Sequence, residues 1–323
     1  MFTLPFQIPE APHKIKLKDS IFSIGSCFSD NIGDKLTAHK FDVVTNPLGI
    51  LYNPFSIFKN LRLLLSEGLD PDNFIEAGGV YFHWDTHSDI SGTAMDSFKA
   101  LLEARSLTSR QSLTSANWLI ITLGTIYVYK HLESGKIVAN CHKIPQRHFQ
   151  KLSLSQAEIE EDFFQTMELL RTINPDIKVI LTVSPVRHIR DGLIENNVSK
   201  ATLLQTVNNI VKNDPNIYYF PAYEILIDEL RDYRFFKEDM IHPTEQAIQY
   251  IWERFITACL DPDAIGFISE WTKVKKSLEH RPFHPDTNEH QRFLRSTLTK
   301  LEALSQRVDV SGEMELIKNQ LIR

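Results

Sequence analysis

Gly25, Ser26, Cys27 and Phe28 follow directly on the apolar run Ile21, Phe22, Ser23, Ile24. That pattern predicts a short buried strand delivering a nucleophile onto a tight turn. Gly25 lets the chain bend and lets a substrate approach the backbone, and the residues after it open a helix whose free N–H groups attract an anion. A cysteine in that place is expected to have a depressed pKa. Far along the chain, Asp239, Met240, Ile241, His242 and Pro243 offer a base with a carboxylate three residues before it. A thiol or hydroxyl is a weak nucleophile until a base takes its proton and a third group orients that base. The two segments read as the two ends of one hydrolytic or acyl-transfer site.

Three further groups carry chemistry. Ser184, Pro185, Val186, Arg187 and His188 follow an apolar run, and Arg187 or His188 suits a carboxylate, a phosphate or sugar hydroxyls. Gly49 and Gly124 stand at comparable strand ends, where their backbone N–H groups could join that of Cys27 in an oxyanion hole. His83, Asp85 and His87 would share one face of a strand, with Cys141, His142 and His148 as further metal-capable side chains. A metal-dependent hydrolase is therefore a competing reading. No HExxH or CxxC accompanies these residues, and the main reading needs no metal and no cofactor.

The elements that must position these residues have a βα rhythm. Predicted strands are Ile21 to Ile24, Phe41 to Val44, Trp118 to Leu123, Lys178 to Val183 and Ile217 to Phe220, each run short, apolar and rich in β-branched residues. Alternation with helical patterns predicts an α/β fold with a parallel sheet and its site at the carboxyl ends of the strands. Ser155 with Glu158 predicts a capping box, opening a helix that Asn174 and Pro175 stop. A second helix is expected from Ser199, and a third with Pro243 in its first turn. The insertion from 53 to 116 is read as one helix, Pro54 to Leu65, and an aromatic segment around Tyr81 to Trp84. That from 127 to 148 is read as a hairpin turning at Ser134 and Gly135. From about Phe267 the chain becomes charged and amphipathic, a helical appendage packing on the core or on a partner.

The chain has 323 residues, 42% hydrophobic and 24% charged, with a net charge of -6. This is ordinary for a globular protein and argues against a large nucleic-acid surface, which would need clustered Lys and Arg. No run approaches a membrane span, and residues 1 to 20 lack the apolar core of a secretory signal. Three cysteines, Cys27, Cys141 and Cys259, cannot all pair within one chain, which fits a reducing compartment, and a cytoplasmic location is expected.

Gly25, Ser26, Cys27 and Phe28, with Ser29 where Ala is usual, resemble the signature of the GSCFA family. The resemblance continues through Asn46, Pro47, Gly49, Ile50, Tyr52, Asn53 and Pro54, then Thr122 to Thr125, Cys141, His142, Ser184 to His188, and Asp239 to Pro243. It implies a relationship to the SGNH or GDSL-like hydrolases and their three-layer α/β/α flavodoxin-like sandwich with a parallel central sheet. On that pattern the nucleophile slot falls on Cys27, with Ser26 as fallback; His242 is the base and Asp239 orients it. The second-block Gly falls near Gly49. The third block, Leu123 to Thr125, lacks the usual oxyanion-binding Asn, for which Gly124 N–H, the Thr125 hydroxyl or Asn53 would compensate. His142, Arg187 and His188 complete the expected substrate-binding set. The implied protein is an acyl esterase or acyltransferase acting on an acylated carbohydrate or small metabolite, or an inactive ligand-binding version of the fold. Residues 1–265 would form the hydrolase-like domain and 266–323 the helical extension.

Overall fold

The computed structural model describes residues 4–66 and 68–322. Five strands form the central sheet: β1 (Ser20–Gly25), β2 (Asp42–Thr45), β5 (Trp118–Leu123), β9 (Lys178–Val183) and β10 (Ile217–Tyr219). They lie in the order β10-β9-β5-β1-β2, all parallel. Numbered among themselves in chain order, these strands run 2-1-3-4-5, the flavodoxin-like arrangement whose switch point lies between β1 and β5. Two antiparallel units stand outside it. β3 (Phe74–Ala77) pairs β4 (Val80–His83), while β6 (Tyr127–His131) sits between β7 (Ile137–Val138) and β8 (Phe149–Ser153).

Residue alternation along the strands makes the layers. Ile21, Trp118, Ile120 and Ile180 face one core with α1 (Cys27–Ala38) and α7 (Glu245–Cys259); Phe22, Ile24, Leu119, Ile121, Leu181 and Val183 face the other. The second core is closed by α2 (Pro54–Leu65), α3 (Met95–Ser115), α4 (Gln156–Ile173) and α5 (Leu193–Asn213). A sheet buried on both faces between helices is the expected three-layer sandwich. A short helix α6 (Ala222–Glu224) continues into a wide turn over Ile225–Leu230. Helices α8 (Pro262–Leu278), α9 (Asn288–Leu304) and α10 (Ser311–Lys318) add Phe267, Trp271, Leu294, Leu301 and Ile317 to the first core. Trp271 Nε1 donates to Ala38 O (2.8 Å) and Lys40 pairs with Glu313 (2.6 Å), tying this extension to the end of α1. The division expected at 265/266 falls inside α8.

Several local expectations change. The Ser155–Glu158 capping box forms in both directions, but α5 begins at Leu193 behind Gly192, well before Ser199. Its first turns bury Asn196, Ser199 and Lys200, polar side chains that hide the helical period. Pro243 lies before α7, in a bridge with Phe236, and Thr244 caps the helix by accepting from Ala247 N (3.3 Å). The 21-residue α3 escaped the sequence pattern because its buried stripe is only Phe98, Leu102, Ser109 and Leu113. β8 was hidden by its polar side chains.

Candidate active site

The turn after β1 is built by three hydrogen bonds, two of them wholly backbone and one to a side chain. Ser26 N donates to Thr122 O (3.1 Å), Leu51 N to Gly25 O (2.9 Å), and Gly25 N to Asn46 Oδ1 (2.8 Å). Gly25 sits at φ +144°, and a Cβ there would overlap the carbonyl of Thr122, so only glycine lets β1 and β5 close at this point. Asn46, itself left-handed at φ +43°, passes the hydrogen bond on by donating from Nδ2 to Asp30 (2.6 Å). Tyr52 O then accepts from both Gly124 N (2.8 Å) and Thr125 N (3.0 Å). The loop 46–53 is thereby sewn to the ends of β1 and β5 at the switch point.

Ser26 is buried and caps α1, its hydroxyl accepting from Phe28 N at 3.4 Å. Cys27, the first helical residue, is half-buried and carries the more available nucleophile. Its N–H has no acceptor among the described residues. The thiol pKa is raised, against the expectation of a depressed one: burial is the largest cause and Asp30 adds to it, while Lys200 and the amides of Cys27 and Phe28 pull the other way. Desolvation outweighs the helix N-terminus here.

Asp239 and His242 meet as their spacing predicts. Nδ1 of His242 lies 2.6 Å from Asp239 Oδ2, and Asp239 Oδ1 accepts from the backbone N–H of Ile241 (2.9 Å) and His242 (3.0 Å). These bonds hold the Asp239 carboxylate down to a pKa of about 2. Met240, left-handed at φ +58°, makes the tight bend that lets the chain fold back on itself. Nε2 of His242 has no partner among the described residues, and no hydrogen bond joins it to Cys27. Helix α1, which opens at Cys27, packs against α7, which follows His242. Lys35 Nζ donates to Gln249 Oε1 (2.9 Å) and the His39 ring stacks on Trp252 (5.4 Å), so α1 and α7 run side by side and parallel.

Around this centre stand Tyr52, whose ring meets His87 (6.4 Å) and His188 (5.8 Å) edge-on, and Arg187, whose guanidinium lies over Phe236 (5.1 Å). Arg187 also borders a cavity of about 640 Å³ together with Tyr223, Tyr233, Asp239, Met240 and Ile241. Burial lowers the pKa of His188, whose Nδ1 faces Asp191 at 3.5 Å.

Other expected residues have structural work instead. Gly49 N donates to Asn46 O (2.8 Å) and Gly124 N to Tyr52 O, so neither N–H is left for an oxyanion. Gly49 is needed because at φ +84° a Cβ would overlap that of His87. The Thr125 hydroxyl is taken up with Ser199 Oγ (3.2 Å) and Tyr127 N (3.3 Å). Asn53 Oδ1 caps α2 through Ser56 N (2.8 Å), but its Nδ2 has no partner among the described residues. His142 is buried, stacked on Phe82 (4.8 Å), its ring nitrogens bonded to Ser88 Oγ and His83 O; substrate has no access to them. The metal reading fails on geometry. β4 ends at His83, Asp85 accepts from Lys59 (2.5 Å) and Asn73 (2.8 Å), and His83 is bonded at both nitrogens. Among the described residues no three His, Cys, Asp or Glu side chains gather to hold a metal ion. All three cysteines are unpaired, and no described helix is long and apolar enough to cross a membrane.

The sequence reading missed Lys200. It is 1% exposed, and its Nζ donates to the carbonyls of Gly124 (2.7 Å) and Ser184 (2.6 Å), at the ends of β5 and β9. The only signal was a lysine after Ser199 on the inward face of a helix, which no motif marks.

Fold and site define an α/β/α sandwich with a cysteine at its switch point. The chain belongs to the GSCFA family: the family profile matches residues 20–255, and that of the GSCFA domain protein, C-terminal domain, matches 271–323. No curated protein matches the chain. Solved structures similar to it include a carbohydrate esterase family 3 from Talaromyces cellulolyticus, at 9% identity over 78% of this chain and 99% of that one, TM-score 0.35. An acetyl esterase with acetate ion is similar at 10% identity over 78% and 99%, TM-score 0.35. An acetyl xylan esterase from the rumen bacterium Butyrivibrio proteoclasticus is similar at 10% identity over 81% and 67%, TM-score 0.38.

Proposed function

We propose that the chain is an acyl esterase or acyltransferase that works through a Cys27–His242–Asp239 triad on an acylated carbohydrate or small metabolite. The observation that carries this reading is the Asp239–His242 pair, with Nε2 unpaired, in the segment leading into α7, the helix packed beside α1 and its Cys27. Asp239 fixes the tautomer that leaves Nε2 free to accept a proton. In the first step Cys27 Sγ attacks the ester carbonyl and His242 takes the thiol proton. The ester C–O bond then breaks, the alcohol leaves with that proton, and a thioester remains on Cys27. Water or an acceptor hydroxyl, deprotonated by His242, attacks the thioester and releases the carboxylate or the new ester.

The oxyanion would rest against Cys27 N–H, with the Asn53 side-chain amide, unpaired among the described residues, as a second donor. Asn53 then performs the task of the absent third-block Asn, from a different loop. The cavity beside Arg187, Tyr223 and Tyr233 has the volume of a small-molecule site and would receive the acyl or alcohol part. A panel of p-nitrophenyl and sugar acetate esters tests the reading. Turnover is expected in the native protein and absent in Cys27→Ala and His242→Ala, with Ser26→Ala retaining it. Unchanged turnover in Cys27→Ala would overturn it, and ester binding without turnover in the native protein would assign the fold to ligand binding instead.

A further inference from the structure

Lys200 is a buried cation with no carboxylate. Its side chain pairs with no acid among the described residues, and its two hydrogen bonds go to neutral carbonyls. Charged lysines are almost never fully buried without an anionic partner, because stripping the ammonium of water is costly. The position is not arbitrary. Lys200 holds Gly124, a Cβ on Gly124 would stand 3.3 Å from that of Ser26, and Gly124 N closes the loop through Tyr52 O. The ammonium thus sits directly behind the turn that carries Cys27. The other charged and titratable groups around this centre are Asp30 on α1, Tyr52 on the 46–53 loop, and Arg187 and His188 after β9. Asp30 opposes a thiolate and Arg187 is itself a cation, so of these groups Cys27 is the one whose ionisation would answer the lysine.

We propose that Lys200 is a positioning residue for the nucleophile: anchored on the Gly124 and Ser184 carbonyls, it is the buried counter-ion of the Cys27 thiolate. The inference rests on Cys27 being the nucleophile. It assigns no new proton acceptor during acyl transfer, which stays with His242. Burial lowers the Lys200 pKa to about 7 and Cys27 raises it, as expected of two groups that titrate as a pair. A neutral amine beside a thiol and an ammonium beside a thiolate differ by one proton shifted from sulfur to nitrogen. Lys200 therefore offsets part of the rise that burial imposes on the Cys27 thiol.

The test reads the thiol and not turnover, so it stands apart from the success of the esterase reading. Cys27 alkylation by iodoacetamide is followed from pH 6 to 10 by peptide mass in native protein, Lys200→Met and Lys200→Arg, with folding checked by circular dichroism. Lys200→Met is expected to slow alkylation at pH 8 tenfold or more, and Lys200→Arg to restore most of the rate. Profiles of native and folded Lys200→Met that superimpose would overturn the proposal. Should Lys200→Met not fold, native protein carrying ¹³Cε-labelled lysine provides the same decision. One lysine signal titrating near neutrality is expected, with its midpoint falling once Cys27 is capped by iodoacetamide; an unmoved midpoint refutes the coupling. Alkylation that depends on Lys200 in a protein that cleaves no ester would defeat the proposed function and leave this inference standing.

Discussion

Asn46 provides a sharp test of how the nucleophile turn is held. Its Oδ1 accepts from the buried Gly25 N–H at 2.8 Å, its Nδ2 donates to Asp30 at 2.6 Å, and its backbone is left-handed at φ +43°. Asn46→Gly keeps the backbone geometry and removes both side-chain bonds. The orphaned Gly25 N–H alone should cost about 1–3 kcal/mol. Asn46→Ala removes the same bonds and keeps a Cβ in the left-handed region without the local side-chain hydrogen bonding by which asparagine tolerates it. That adds a strain of about 1–2 kcal/mol that glycine escapes, though glycine's greater chain entropy offsets up to about 1 of that advantage. The ordering is therefore native, then Gly, then Ala, with Ala about 2–5 kcal/mol below native. Urea unfolding at pH 7, with slopes compared to confirm that the denatured states match, measures it. Ala equal to or more stable than Gly, or both within about 0.5 kcal/mol of native, would refute the account of this turn. Asp30 reports on the same substitution: burial raises its pKa and the Asn46 amide opposes this, so loss of the amide should move it higher still.

Asp239→Asn should leave the urea midpoint nearly unchanged, since the pair is exposed, while ester turnover falls at least a hundredfold; equal losses of stability and activity would show a structural role. The Asp239 carboxylate is held down to about 2, so its contribution is present above its ordinary pKa of 3.8 and is lost only as pH falls through about 2. Activity loss on the acid side near neutrality must therefore come from another group. His142 behaves oppositely. Burial depresses it to about 4, so the unfolded chain binds the extra proton first, and stability present above pH 6.5 is lost as pH falls toward 4, about 3 kcal/mol in all. Unfolding midpoints at pH 7 and 4.5 should differ less in His142→Gln than in native protein, and equal differences would count against the burial. Dialysis against a chelator should leave ester turnover intact, and recovery on adding zinc to a chelator-inactivated sample would revive the metal reading.

The sheet was legible because buried parallel strands are written as continuous apolar runs: Ile21 to Ile24, Trp118 to Leu123 and Lys178 to Val183 needed no periodicity to be seen. The Asp239–His242 pair was legible because three residues of spacing and one tight bend suffice to close it. What escaped were features that only tertiary structure creates. Gly49 and Gly124 look like free amides until the 46–53 loop folds onto the turn and engages them. His83, Asp85 and His87 alternate like a strand, but β4 stops at His83 and the period breaks. Lys200 reads as a surface lysine, and α5 as a shorter helix, because burial of Asn196, Ser199 and Lys200 follows from what faces them across the sheet. Sequence marks residue types. It does not mark which hydrogen bonds have been used up.

The raised Cys27 pKa reshapes the chemistry expected of such a site. A cysteine at a helix N-terminus is ordinarily primed as a standing thiolate, stabilised by unpaired amides. Here the amides of Cys27 and Phe28 are present and still lose to burial and to Asp30. A resting thiol has to be ionised at the moment of attack, which gives weight to an aligned base, and the exposed His242 has Nε2 open for that task. It also explains why a buried cation behind the turn is worth its desolvation. Each pKa unit by which a counter-charge lowers the thiol is about 1.4 kcal/mol toward the reactive form. On the proposed mechanism, burial that holds the thiol back from adventitious oxidation and a base with a counter-ion that release it on demand are thus two sides of one arrangement.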